Sequence, residues 1–310
     1  QGSTTPDITK KALVIMCADN GVVSEGVSQT DKSVTASVAE LMGKNRSTVG
    51  VMLKDYPALI MPIDVGIDSD KKIEGVSDKK VSCGTGNIEK EAAMTKEQCL
   101  KAISTGIEAV WDCKDKGVGL IATGEMGIGN TTTSTALFCA LTGKEAGTVV
   151  GKGAGLTDEG LKIKTKVIED ALKLHGLTGK TTDPKGVLSA LASVGGLDIA
   201  ALCGVFIGAA IYHIPAVIDG AISAVAALAA AYMVSGCEGY MIASHKGREK
   251  ITGEVLDLLG LKGVIDADMA LGEGTGAVLM FPMLDMVMSV YINGTRFGDT
   301  MIGQYERFDK

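Results

Sequence analysis

Apolar runs of two lengths alternate along the chain. Short, near-continuous runs at 11–18 (KALVIMCA), 58–65, 118–123, 216–218 and 240–243 lack the polar alternation of a half-solvated strand. Runs of this kind fit strands of a parallel sheet covered on both faces. Longer segments between them carry helical spacing. They predict helices from Asp31 or Ser33 to Gly43, over 46–56, from Thr95 to Lys116, over 134–141, from Thr157 onward, and over 187–194, 197–210, 222–234, 250–259 and 277–290. Ser, Thr or Asp at several of these starts supplies an N-cap. Residues 1–10 and 176–186 are polar and read as extended chain and linker. About six strands alternating with helices predict an α/β fold: a mostly parallel, doubly wound sheet with helices on both faces. The uncharged run 199–214 has the composition of a membrane span but is short, rich in Ala and Gly, and closed by Pro215 and Asp219. It reads as a buried core helix.

Polar chemistry gathers where the strands end. Asp19, Asp64, Glu125 and Asp219 each close a predicted strand in or beside a glycine turn. Loops at the carboxyl ends of parallel strands are where open α/β sheets bind ligands, so four such ends predict a polar cleft along one edge. Residues 124–133 (GEMGIGNTTT) join a strand to a helix; their small residues and hydroxyls suit a phosphate, and an ordinary capped helix start is the alternative. No Gly-Lys-[Ser/Thr] ending follows, so NTP hydrolysis is unsupported. Gly151-Lys152-Gly153 makes a further glycine loop, followed by a helix bearing Lys162, Lys164 and Lys166, any of which could reach a phosphate. Residues 271–276 (LGEGTG) hold one carboxylate, Glu273, between glycines at the start of the last helix. There a ligand can meet both the carboxylate and the free N–H groups of the first turn. His213 and His245 read as structural.

Composition narrows the classes. The 310 residues accommodate a large core, and the net charge is −7 with no basic block, which argues against nucleic acid and anionic membrane surfaces as partners. Seven scattered cysteines without a C-x-x-C read as reduced thiols of a cytoplasmic protein. Three dispersed histidines make no metal motif, so no metal is expected, nor an organic cofactor. No signal-peptide pattern opens the chain.

Several motifs carry a family resemblance. They are ADNGVV at 18–23 with EGVS at 25–28, DVG at 64–66, GEMGIGNTT at 124–132, VGKG at 150–153, GGLDIA at 195–200, IDG at 218–220, SH at 244–245 and LGEGTGA at 271–277. In this order, over roughly nine-tenths of the chain, they resemble nicotinate-nucleotide–dimethylbenzimidazole phosphoribosyltransferase, a family of cobalamin lower-ligand attachment. The resemblance implies a Rossmann-like six-stranded sheet over 11–273, with residues 1–10 and 274–310 adding to a small helical domain. It implies transfer of the phosphoribosyl group of nicotinate mononucleotide to an aromatic base, giving an α-ribotide and nicotinate. Glu273 is then the general base. Glu125, Gly127, Asn130, Thr131, Gly151, Gly153 and Lys166 hold phosphate and ribose. Ser28, Gln29, Thr30, Val38 and Leu271 line the acceptor pocket. A dimer is implied, of identical chains or of two paralogues, and a weakly active partner subunit is the competing reading.

Departures from the family cluster around the acceptor. The N-terminal helix of the family, with its Pro-Pro-Gly-Ser-Leu-Gly segment, is not in this chain. Asp31 and Thr133 stand where prolines are usual, and Ser37 and Val38 where longer Gln or Met side chains are common. These differences leave the acceptor open: dimethylbenzimidazole or a related benzimidazole, a purine or a phenol.

Overall fold

The computed structural model describes residues 1–153 and 155–303. In chain order the elements are β1 (Lys11–Ala18), α1 (Ser33–Gly43), α2 (Thr48–Met52), β2 (Ala58–Gly66), β3 (Ser77–Asp78), α3 (Lys96–Asp115), β4 (Leu120–Met126), α4 (Asn130–Thr142) and α5 (Ala146–Val149). They continue with α6 (Asp158–Leu174), α7 (Pro184–Val194), α8 (Leu197–Tyr212), β5 (Ala216–Ile218), α9 (Ala221–Met233), β6 (Met241–Ala243), α10 (Lys250–Leu258) and α11 (Thr275–Asn293). The strands form one parallel sheet in the order β3-β2-β1-β4-β5-β6. This is the expected Rossmann-like arrangement. Its strand order reverses between β1 and β4, which opens a crevice above their carboxyl ends.

Strand β1 shows why the run KALVIMCA is apolar throughout. Its side chains alternate between faces. Ala12, Val14, Met16 and Ala18 enter a core shared with α3, α4, α7, α8 and α9, while Leu13, Ile15 and Cys17 enter a second core with α1, α2 and α11. Both faces are thus dry, and all eight residues are buried. The run suspected of membrane character is α8, whose residues 197–209 are all buried inside the first core. It crosses α3 with backbone against backbone: a Cβ on Gly106 would lie 1.9 Å from the Ala201 carbonyl oxygen, and one on Gly204 would lie 2.0 Å from that of Ile103.

Three elements differ from expectation for local reasons. The helix expected over 46–56 shrinks to α2, capped by the Ser47 hydroxyl and ended ahead of Tyr56-Pro57, a dipeptide hostile to helix. The sixth strand is β3, two residues within a polar stretch, pairing only with Ile63 and Asp64. Pro62 of β2 therefore sits where the outer edge is unpaired, so its missing N–H breaks no ladder. The expected ten-residue loop 124–133 contracts to Gly127-Ile128-Gly129, because β4 runs to Met126 and α4 begins at Asn130.

The first half of α11 packs into the second core, while its second half exposes Met286, Val287, Val290, Tyr291 and Ile292. By length and composition alone this helix could cross a membrane. Lys11 ties it to the sheet: its ammonium is buried and pairs with Asp285 at 2.7 Å, and Asp285 also accepts the Tyr56 hydroxyl. The last seven residues of the C-terminal segment lie outside the described residues.

Candidate active site

The turn after β4 is built at the crevice. Gly129 has φ +90°, a left-handed conformation that glycine tolerates. Gly127 has no space for a side chain: a Cβ would fall 2.5 Å from the Ala18 carbonyl oxygen and 2.6 Å from Asp198 Oδ2. The Ile128 N–H donates to Thr35 Oγ1 (3.2 Å) and the Ile128 carbonyl accepts from Asn20 Nδ2 (3.3 Å), which ties the turn to α1 and to the loop after β1. Thr133, in place of a usual proline, donates its hydroxyl toward Asn20 Oδ1 (3.4 Å).

This turn delivers Glu125 and Asn130 to one place. The Asn130 amide donates to Glu125 Oε2 and to Asp198 Oδ2 (3.1 Å), so one NH₂ group bridges two buried carboxylates. Burial first, then the Asp198 charge, pushes Glu125 up to about 8. Burial likewise pushes Asp198 up to about 7, against the opposing hydrogen bond from Asn130. Two carboxylates this close and this dry disfavour double ionisation.

A second cluster stands beside it. Lys164 is fully buried; its ammonium donates to Thr131 Oγ1 (2.9 Å) and to the Gly151 carbonyl (3.1 Å). Desolvation pulls it down to about 8, with Glu249 acting the other way. The glycine loop folds around Glu249: Gly153 N–H donates to Glu249 Oε1 (3.1 Å), and a Cβ on Gly151 would lie 1.7 Å from Glu249 Oε2. Glu249 also precedes the first turn of α10, which has no side-chain cap. Lys166, the expected phosphate ligand, does not join this cluster. It is three-quarters exposed and pairs with Asp170 at 2.7 Å one helical turn on.

The loop 271–276 closes over both. Glu273 has φ +64°, a left-handed conformation rare for a residue with a side chain. Asp219 helps to hold it there: Oδ2 accepts Gly274 N–H (3.2 Å) and Oδ1 accepts Ala277 N–H (2.9 Å). Glu273 Oε2 accepts the Val49 N–H (3.1 Å) in the first turn of α2. The loop packs so tightly that a Cβ on Gly272 would meet Glu125 Oε1 at 2.7 Å, and one on Gly276 would meet His245 Nδ1 at 2.1 Å. Burial raises Asp219 above the usual carboxylate range, and the neighbouring His245 opposes that shift. A cleft of about 190 Å³ runs between these parts, lined by Glu125, Asn130, Thr131, Gly153, Asp219 and His245 among others.

Comparison with known proteins matches this architecture over nearly its whole length. The phosphoribosyltransferase family model DBI_PRT matches residues 1–302. The chain belongs to this family. Nicotinate-nucleotide–dimethylbenzimidazole phosphoribosyltransferase from Ruminiclostridium cellulolyticum is 45% identical over 98% of this chain and 85% of its own. The protein of the same name from Acetivibrio thermocellus is 44% identical over 98% of this chain and 86% of its own. The crystal structure of CobT from Thermus thermophilus superposes with a TM-score of 0.87 at 34% identity, over 93% of this chain and 85% of that one.

In this phosphoribosyltransferase the four strand-end acids divide by task. Asp19 accepts the Asp68 N–H (2.8 Å), Asp64 accepts those of Gly66 (3.0 Å) and Ile67 (2.8 Å), and Asp219 braces the Glu273 loop. Three of the four hold backbone; Glu125 lines the cleft, and so does Asp219. Glu125, Asn130, Thr131, Gly153 and Leu271 line that cleft together. Gly127 packs against Ala18 and Asp198, and Gly151 wraps Glu249. Glu273 faces α2 instead, on the far side of its loop. Among the acceptor candidates, Val38 packs against the second core, and Gln29 and Thr30 are exposed with Ser28 half-buried beside them. Gln29 reaches across to donate to the Gly155 carbonyl.

Two residues that face the cluster lacked an assigned role: Lys164 and Asp198. The signal for Lys164 was present. It falls on the buried stripe of α6, with Gly160, Val167, Ile168 and Ala171, whereas Lys162 and Lys166 fall outside it. Asp198 is the single charge in 195–214, placed in the first turn of a helix otherwise built for a core. No group of three His, Cys, Asp or Glu residues among those described is arranged to hold a metal ion.

Proposed function

We propose that this phosphoribosyltransferase moves the phosphoribosyl group of nicotinate mononucleotide to an aromatic base, releasing nicotinate and forming an α-ribotide. The observation that carries the reading is the Glu273 loop, held in a left-handed conformation and seated on Glu125 through Gly272. It sets the proposed base on one side of a thin wall and the cleft on the other. At that cleft the Thr131 hydroxyl, backed by the buried Lys164 ammonium, and the open first turn of α10 offer donors suited to the 5′-phosphate. Glu125 and Asn130 face the sugar. The acceptor enters from the α1 and α2 side, where Ser28, Gln29, Thr30 and Leu271 edge its path.

In the transfer, the acceptor's nitrogen, or the oxygen of a phenol, attacks C1′ and the glycosidic bond breaks, its electrons neutralising the pyridinium of the departing nicotinate. That leaving group needs no acid. The acceptor's N–H proton, or the O–H proton of a phenol, passes to Glu273. Its Oε2 is held by Val49, and Oε1 is left to take the proton. Positioning and charge stabilisation supply most of the remaining acceleration.

The acceptor we infer is dimethylbenzimidazole or a related benzimidazole, a purine or a phenol, because the departures from the family at Asp31, Ser37 and Val38 lie on and before α1 and leave the nucleotide cluster intact. We also infer a dimer, of identical chains or of two paralogues, acting in the cytoplasm; the apolar second half of α11 supports it. Residues 1–10 and that half of α11 would then complete a small helical domain. The test is mass analysis of products from nicotinate mononucleotide with dimethylbenzimidazole, benzimidazole, adenine, phenol and p-cresol. A ribotide from at least one base is expected, and the base that gives it identifies the acceptor class. No ribotide from any base, with the nucleotide still bound, would overturn the reading.

A further inference from the structure

The loop that carries Glu273 has an entry and an exit, and both are held by one short stretch, Ser244 to Arg248, which follows β6. At the entry the backbone of that stretch binds residues 264–269. The Ser244 carbonyl accepts the N–H groups of Val264 (3.0 Å) and Ile265 (3.0 Å). Lys246 N–H donates to the Ile265 carbonyl (2.8 Å), and Arg248 N–H to that of Met269 (3.0 Å). The Arg248 guanidinium adds a two-pronged pair with the Asp268 carboxylate, at 3.1 and 2.9 Å.

At the exit, α11 begins behind Gly274, which has no side chain to cap it. The Asp219 carboxylate supplies the cap from the end of β5, through the N–H groups of Gly274 and Ala277. The main chain of Asp219 is held in turn by two serines. Ser223 Oγ accepts its N–H (3.3 Å), and Ser244 Oγ donates to its carbonyl (3.2 Å). Ser244 Oγ also meets His245 Nδ1 at 2.8 Å. A hydroxyl has one proton and a carbonyl only accepts, so both contacts of Ser244 hold together only when His245 Nδ1 is the donor. A chain of hydrogen bonds therefore runs from His245 Nδ1 through Ser244 Oγ to the Asp219 carbonyl, and the Asp219 carboxylate passes it on to the loop.

The imidazole also fills the space beneath the first turn of α11. It is 5% exposed, and a Cβ on Gly276 would lie 2.1 Å from its Nδ1, 2.3 Å from its Cε1 and 3.0 Å from Asp219 Oδ1. Its other nitrogen, Nε2, has no hydrogen-bond partner among the described residues, so Nδ1 is the atom through which the ring acts on its neighbours. We propose that His245 is a positioning residue of the transfer: through Ser244 and Asp219 it fixes the exit of the 271–276 loop against the entry, and so sets where Glu273 meets the acceptor. The inference rests on the assignment of Glu273 as the base.

A residue that positions the base acts on the chemical step and leaves ground-state binding of the nucleotide alone. His245→Leu removes the Nδ1 donor and keeps apolar bulk beneath α11. It should lower kcat by roughly ten- to a hundredfold, the cost of displacing a reacting group by about 1 Å, with KM for the nucleotide within about twofold. His245→Asn sets an amide N–H where Nδ1 stands and keeps the chain to Asp219. It should hold kcat within about fivefold of the wild type. In Asp219→Asn the cap at the exit is already weakened, so adding His245→Leu should lower kcat by less than about twofold more.

The experiment is steady-state nicotinate release by the full chain, with nicotinate mononucleotide and acceptor each varied. It compares the wild type, His245→Leu, His245→Asn, Asp219→Asn and the Asp219→Asn/His245→Leu double variant, each checked for an intact fold by its thermal transition. A fall in kcat in the Leu variant, its recovery in the Asn variant and the missing further loss in the double variant are the expected results. A raised KM with kcat intact would place His245 on the nucleotide and overturn the proposal. So would losses that multiply in the double variant. Where the Leu variant does not fold, a folded Asn variant more than about tenfold below the wild type in kcat overturns it as well. No nicotinate release by the wild type with any acceptor would remove the transferase reading and this proposal with it, whereas wild-type kcat in both His245 variants would remove this proposal alone.

Discussion

Lys164 and Lys166 lie two residues apart on α6, and the helical period separates them. Lys164 is buried behind the cleft wall, desolvated and held by Thr131 and Gly151; Lys166 is turned to water and paired with Asp170. A buried ammonium behind the Thr131 hydroxyl contributes a charge-assisted hydrogen bond of about 1.5–3 kcal/mol. Lys164→Met should therefore weaken nicotinate mononucleotide binding by roughly tenfold to a hundredfold. Lys166→Met should change it by less than about twofold, as an exposed ion pair contributes little. Equilibrium titration of both variants checks the pair, and equal losses would contradict the assignment. At this scale the sequence pointed to the helix but not to the lysine. A motif match supplies the segment; choosing among three neighbouring lysines requires the phase of the helix, which the apolar stripe at Val167, Ile168 and Ala171 already encodes. Asp198 was harder to see, since its role arises only when α8 meets the turn after β4.

At the scale of elements, the closing loop and α11 behave as one piece anchored on β5. Asp219 accepts two N–H groups of that piece, and Gly124, Gly272 and Gly276 let its backbone approach β4, Glu125 and His245. The left-handed Glu273 costs on the order of 1–3 kcal/mol, which the surrounding contacts must offset. Asp219→Asn keeps the shape and loses one of the two acceptors. Its expected effect is a fall in kcat of roughly ten- to a hundredfold with KM for the nucleotide nearly unchanged, since displacing a catalytic group by about 1 Å costs that much. A loss confined to thermal stability, with kcat intact, would make Asp219 a folding residue only. The glycine-flanked Glu273 stood out in the sequence. The acids at the strand ends were visible too, but three of the four proved to be backbone braces. Acid next to glycine is equally the chemistry of a turn that caps its own N–H groups, and only the observed partners separate a brace from a ligand.

The whole molecule is a Rossmann-like sheet whose cleft is displaced from the β1–β4 crevice toward β5 and β6, where Glu125, Asp219 and His245 meet. The alternating strands and helices made that class legible, because parallel strands dry on both faces leave continuous apolar runs. The exception was β3, whose two residues are recruited by the edge of β2 and carry no apolar signal of their own. The proposed acceptor side is less visible from sequence because Ser28, Gln29 and Thr30 come from a surface loop and Val38 from a helix packed on the second core.

The proposed reaction divides the labour: the cleft would hold the nucleotide, and Glu273 would take the acceptor's proton from across its loop. The most direct test is nicotinate release under saturating nucleotide and acceptor, measured for the wild type and Glu273→Gln alongside each protein's nucleotide affinity. A general base is worth roughly 10²–10⁴-fold, so the variant should release nicotinate slower by that factor while binding the nucleotide as tightly as before. Release within about threefold of the wild type would contradict the assignment of Glu273 as the base.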